Sequence, residues 1–210
     1  MEFGTWLQIA FICILGAVSP GPSLAAVVTN TTRNGQIYGV STAIGHGIGI
    51  TLWASATAVG VAEAIVYNSY LLTGVQYLGA CLLGFIGVRS LRSGVKMRSN
   101  SSYLVQQHIF QGLSEGFMIA LLNPKIALFF LAIFSQFIIP DSNWIDISLM
   151  GITAGIVDAL WYVFVAVAVS IVAVSKFLHE KSIHIARVSG LLLILVSVYL
   201  AITTTIKSIN

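Results

Sequence analysis

Two charged residues fall deep inside apolar stretches of this sequence, Lys125 and Asp158, and each is a candidate for chemistry. Lys125 follows Asn123-Pro124, so it sits in the first turn of whatever helix resumes after that proline. Upstream, Ser19-Pro20-Gly21-Pro22-Ser23 interrupts another apolar stretch. Pro20 and Pro22 lack an N–H and free carbonyls in the preceding turn, while Gly21 opens backbone angles closed to other residues, so the segment reads as an unwound joint. The half-helix restarting near Pro22 would present unpaired N–H groups and a positive dipole end, a seat for a carboxylate, with the Ser19 and Ser23 hydroxyls beside it. The second break offers the same from the other direction, with Lys125 adding a full positive charge. A lysine or aspartate near a bilayer centre costs about 2.5–3.5 kcal/mol on insertion scales, which makes each a functional candidate by default. Lys125 would meet an anion, and Asp158 an ammonium group or a proton. The bland alternative is a Lys125–Asp158 salt bridge that only locks the helices.

His46, in GHGIG, is a secondary candidate, because a lone helical histidine more often just bonds a neighbour. No HExxH, CxxC or carboxylate cluster points to a metal, no cofactor is implied, and Ser19 has no base beside it in sequence, so an enzyme fits poorly. Cys13 and Cys81 lie in apolar stretches and read as buried, inert thiols.

The elements that position these residues follow from composition. The 210 residues are 57% hydrophobic and 8% charged, against roughly a quarter charged in a soluble domain. So apolar a chain must expose apolar surface, and the solvent for it is lipid. Six stretches are long enough to cross: 3–28, 37–62, 70–91, 112–139, 145–175 and 184–206, separated by polar breaks that include 30–36 and 176–182. Their continuity fits helices rather than barrel strands. The run at 3–18 has no basic flank and continues past residue 22, so it reads as a mature span rather than a signal peptide. The net charge of +3 does not imply nucleic acid, since ten bases scattered through an apolar chain line no duplex. Instead Arg33, Arg89, Arg92, Lys96, Arg98, Lys176, Lys181 and Arg187 fall on one side, with Lys207 alone opposite. That bias places the odd loops in the cytoplasm and both termini outside.

The two halves resemble each other. GAVSPGPSLAAVV at 16–28 matches ALLNPKIALFFLA at 120–132 as an interrupted span, and GIGITLW at 47–53 matches GIVDALW at 155–161. Three spans per half is odd, so the second repeat, 112–210, inserts upside down relative to the first, 1–91, with a basic cytoplasmic connector at 92–111. Inverted repeats with matched broken helices place a substrate site at mid-bilayer in secondary transporters. Small residues four apart, such as Gly45 and Gly49 or Gly112 and Gly116, serve close helix packing and leave a homodimer open.

The SPGP break, the segment TTRNGQIYGVSTAIGHGIG, the NPKIALFF segment and the aspartate of GIVDALW together resemble the LysE/RhtB family of bacterial amino-acid exporters, along nearly the whole chain. The resemblance implies export of amino acids or their derivatives across a bacterial inner membrane, driven by the proton gradient. It carries the family's proline-glycine-proline motif onto Pro20, Gly21 and Pro22, its asparagine-proline-lysine motif onto Asn123, Pro124 and Lys125, and its acidic residue onto Asp158. The expected mechanism is alternating access, with the cargo carboxylate on Lys125 and the half-helix end, and Asp158 meeting the ammonium group or an exchanged proton. A metal-ion exporter on the same scaffold and a non-transporting assembly partner are the rival readings.

Overall fold

In the computed structural model, residues 1–67, 69–92, 108–137, 143–170 and 172–209 are described, and they are helical with short joints. The connector, apart from its ends, lies outside them, with Lys96 and Arg98, as does Asp141. In chain order the helices are α1 (Phe3–Val18), α2 (Pro22–Asn34), α3 (Gln36–Tyr67), α4 (Ser69–Arg92), α5 (Ile109–Leu122), α6 (Pro124–Phe137), α7 (Trp144–Val169) and α8 (Val172–Ile209).

Both expected breaks are present. α1 and α2 meet at 60° across Ser19–Gly21, and α5 and α6 meet at 61° across Asn123 and Pro124. Two unbroken stretches, Trp144–Val169 and Ile183–Ile206, are long and apolar enough to cross a bilayer, and counting each bent pair as one span raises the number to four. α3 and α4 occupy the positions expected for the second and third spans.

Two expected loops are helical instead. The polar stretch 30–36 continues α2 to Asn34, because Thr31 and Thr32 donate their hydroxyls to the carbonyls of Val27 and Val28 and so stay within the helix. Gly35, at φ +91°, alone makes the turn into α3. The stretch 176–182 lies inside α8, and the chain turns earlier, after Val169.

α3 is the central helix, packed against α7, α5, α2 and α6, while α4 packs against α8 and α6. Glycine lets these backbones touch. A Cβ on Gly47 would fall 2.8 Å from the Gly155 carbonyl oxygen, and one on Gly155 would fall 2.8 Å from that of Gly47. Gly87 of α4 and Gly190 of α8 face each other the same way. The glycine faces that left a homodimer open are therefore occupied within one chain.

The outer surface is apolar. Ile152, Ile156, Leu160 and Phe164 form an exposed stripe along α7, and Val188, Leu191, Leu195, Val198 and Ile202 another along α8. Their spacing is one helical turn, the pattern of an amphipathic helix with its apolar face turned outward to lipid. Cys81 belongs to this outer surface, contrary to the expectation of burial, since an apolar neighbourhood in lipid does not mean an interior position. Cys13 is buried. Ser19, Ser23 and Asn123, at the two breaks, are among the buried polar side chains, as are His46 and Asp158.

Candidate functional site

The first break delivers α2 with an uncapped start. Gly21 stands at its N-cap in extended conformation with no side-chain hydrogen bond, and Pro22 takes the first helical position, where its missing N–H is least missed. The next N–H groups, of Ser23 and Leu24, precede the first possible intrahelical partner. The second break differs. Asn123 caps α6 itself, its Oδ1 accepting from the Lys125 N–H at 3.0 Å and its carbonyl from the Ile126 N–H at 3.0 Å. Because the Lys125 N–H turns to Asn123, the Leu121 carbonyl is left over, and the Trp53 indole donates to it at 3.0 Å.

The two breaks are joined through one serine. Asn123 Nδ2 donates to Ser23 Oγ at 3.1 Å, and Ser23 Oγ lies 2.8 Å from His46 Nε2. His46 Nδ1 in turn meets Asp158 Oδ2 at 2.6 Å. Ser23, His46, Asn123 and Asp158 are all buried. The row fits either form of the imidazole, with Asn123 donating to Ser23 in both: neutral, the ring accepts from the Ser23 hydroxyl and donates to the carboxylate; protonated, it donates to both Ser23 and the carboxylate. Tyr162, one turn beyond Asp158 on α7, packs edge-on against the imidazole with ring centres 5.0 Å apart.

Lys125 starts a second row. Its Nζ donates to Ser19 Oγ at 3.1 Å and to the Ser19 carbonyl at 3.3 Å. Ser19 Oγ lies 3.3 Å from Ser90 Oγ, which donates to the Ala186 carbonyl at 2.9 Å. The ammonium group also sits 3.6 Å from where a Gly21 Cβ would be, directly over the uncapped start of α2. Positive charge and helix N-terminus therefore point at the same spot. Lys125 and Asp158 form no salt bridge: among the described residues the partner of Asp158 is His46, and Lys125 meets no carboxylate within 4 Å.

Between the rows lies a cavity of about 40 Å³, lined in part by Ser19, Ser23, His46, Asn123, Lys125 and Asp158. At roughly 10–15 Å³ per water it has room for about three waters and not for an amino acid. Phe129 and Phe130 line it as well. All of this, from the first break to Asp158, falls within residues 14–204, the part of the chain that matches the sequence profile of LysE type translocators.

The chain belongs to the LysE type translocator family.

It is similar to the uncharacterized membrane protein PA4757 of Pseudomonas aeruginosa, 28% identical over 170 residues that cover 78% of this chain and 77% of that one. An uncharacterized membrane protein of Vibrio cholerae is 24% identical, covering 76% and 78% of the two chains. The uncharacterized membrane protein YrhP of Bacillus subtilis is 25% identical, covering 73% and 77%. No solved structure matches it. The family is one of translocators rather than of enzymes.

In this LysE type translocator the candidate residues read from the sequence converge. Ser19, Gly21, Pro22, Ser23, Asn123 and Lys125 share the inner cavity with Asp158 and His46, Pro20 lines a neighbouring chamber, and Pro124 opens α6. His46, secondary in the sequence reading, holds the central position. Ser90 and Tyr162 were missed. Tyr162 stands four residues after Asp158, on the same helical face, and that spacing was a usable signal. Glu115 also lies within the expected fourth span, where its exposed carboxylate accepts from Asn30 Nδ2 at 2.9 Å. Among the described residues no three His, Cys, Asp or Glu side chains gather as metal ligands.

Two larger spaces flank the cavity at opposite ends of α4 and α6. One, of about 430 Å³, is lined by the first break, the Arg89 end of α4 and the Lys125 end of α6. The other, of about 490 Å³, is lined by Glu2, Gln76, Gln136, Asp146 and Thr204. There the Met1 ammonium pairs with Asp146 at 2.6 Å, and Gln136 donates to the Gln76 carbonyl at 2.5 Å.

Proposed function

We propose that this translocator exports amino acids or close derivatives from the bacterial cytoplasm across the inner membrane, by proton antiport with alternating access. The observation that carries the reading is the bridge of His46 between Asp158 and Ser23, because Ser23 is where Asn123 of the second break also binds. The deep carboxylate and both broken helices are thus tied into one hydrogen-bonded row that links the two halves of the chain. A charge in this low-dielectric interior needs a counter-charge. Asp158 takes either a protonated His46 or the ammonium group of the cargo, so loading cargo expels the proton, as antiport requires. The cargo carboxylate goes to Lys125 and the uncapped N–H groups of α2.

The cavity of about 40 Å³ must widen to admit an amino acid. The movement is a rocking of residues 1–91 against 112–210, two inverted halves, about the breaks. The larger space at Arg89 then faces the cytoplasm and the one at Asp146 the periplasm. Basic residues at the first end and the Met1–Asp146 pair at the second support that orientation, with both termini periplasmic.

In proteoliposomes with a proton gradient, the protein should move labelled amino acid and protons in opposite directions, and Asp158→Asn should abolish both while still folding. Unchanged coupling in Asp158→Asn would remove that residue from the mechanism. Absence of amino-acid flux across a broad panel with the native protein would overturn the function.

A further inference from the structure

The chamber of about 430 Å³ has a composition that the transport reading does not use. It is of a size typical for small-molecule sites, roughly 300–1,000 Å³. Two cations line it, Arg89 from α4 and Lys125 from α6, and no aspartate or glutamate is among its lining residues. Its apolar wall comes from Phe85, Ile86 and Leu128. Lys125 lines the inner cavity too, so its ammonium group stands on the wall the two spaces share.

We infer that this chamber is a selectivity site, which takes the carboxylate of an amino acid with an uncharged, apolar side chain and turns away basic amino acids. The inference rests on the amino-acid transport reading. A zwitterion entering the chamber places its carboxylate between Arg89 and Lys125, and an apolar side chain covers Phe85, Ile86 and Leu128. A lysine or arginine cargo brings a second positive charge to a space already holding two, with no carboxylate there to meet it. Asp158 cannot serve, since it lies in the inner cavity against His46 and is matched to the α-ammonium group. Arg89 is solvent-exposed, so screening limits the effect of its charge, and the discrimination it provides is graded rather than absolute.

The test is counterflow in proteoliposomes preloaded with unlabelled amino acid, using labelled leucine, phenylalanine, lysine and arginine at matched concentrations. Leucine and phenylalanine should exchange at least about tenfold faster than lysine and arginine. Arg89→Gln should narrow that ratio, Arg89→Glu should narrow it further, and Arg89→Lys should keep it, which separates charge from packing. Lysine exchanging as fast as leucine in the native protein would overturn the inference and leave the transport reading standing, as would a ratio unmoved in Arg89→Glu. Failure of every amino acid to exchange would overturn the transport reading itself, and this inference with it.

Discussion

Nδ1 of His46, on α3, stands 2.6 Å from Oδ2 of Asp158, on α7, in a part of the bundle closed to solvent. A bond that short between an imidazole and a carboxylate is charge-assisted. It joins two helices that also approach closely through small residues, among them Gly47 against Gly155 and Ala159, and Gly151 against Ser55.

Removing one partner should therefore destabilise the fold. His46→Ala leaves Asp158 buried without its counterpart, and breaking a buried pair from one side costs about 3–5 kcal/mol. In detergent micelles, melting followed by tryptophan fluorescence should fall markedly for His46→Ala. The double variant His46→Ala/Asp158→Asn should lose less than the sum of the two single losses, because the pair is coupled. A His46→Ala protein melting with the native one would refute the bridge.

The same bridge separates two roles. If His46 carries the exchanged proton while Asp158 serves as the shared counter-ion, His46→Gln should retain amino-acid counterflow, which needs no net proton movement, yet lose proton release measured with a trapped pH dye. Asp158→Asn should lose both. Proton release persisting in His46→Gln would place the proton on Asp158 instead.

The breaks were legible in the sequence because proline acts locally: Pro22 and Pro124 end one helix and start another whatever surrounds them. Lys125 and Asp158 stood out for an equally local reason, a charge in an apolar run. What was not legible depended on contacts far apart in the chain. His46 is 112 positions from Asp158 and 23 from Ser23, and nothing in GHGIG specifies either partner. Trp53 likewise gives no local sign of its partner, since the Leu121 carbonyl that it binds lies 68 positions away. Helix ends were misread where polar residues continue a helix. Thr31 and Thr32 look like loop composition but bond back onto their own turn, and 176–182 is polar yet helical within α8. Hydropathy reports where lipid ends, and a helix can run past that point.

Lys125 should read the carboxylate of the cargo. A hydrogen bond to a charged group is worth about 1.5–3 kcal/mol, so Lys125→Met should raise the KM for an amino acid roughly 10- to 100-fold. The native protein should also prefer an amino acid over its carboxamide, and Lys125→Met should transport the two alike. If the variant kept that preference, the carboxylate would be recognised elsewhere, leaving the α2 N-terminus as the main seat.

The last prediction concerns how α5 is held against α3, and it distinguishes packing within the chain from packing between chains. A Cβ built on Gly116 would lie 2.8 Å from the Thr42 carbonyl carbon and 2.9 Å from the His46 nitrogen, backbone atoms that cannot swing aside. Gly116→Ala must push α5 away from α3, at a cost of about 1–3 kcal/mol for overpacking, and the push falls on the residue that bridges to Asp158. Gly60, also on α3, has nothing within 4 Å of the same construction, and Gly60→Ala should be neutral or stabilising by up to about 1 kcal/mol, since alanine favours helix. Melting in micelles should thus drop for Gly116→Ala and hold or rise for Gly60→Ala, with the apparent molecular mass of the Gly116→Ala particle the same as that of the native protein. A change in mass without a change in melting would mean that Gly116 packs against a second copy rather than against Thr42 and His46.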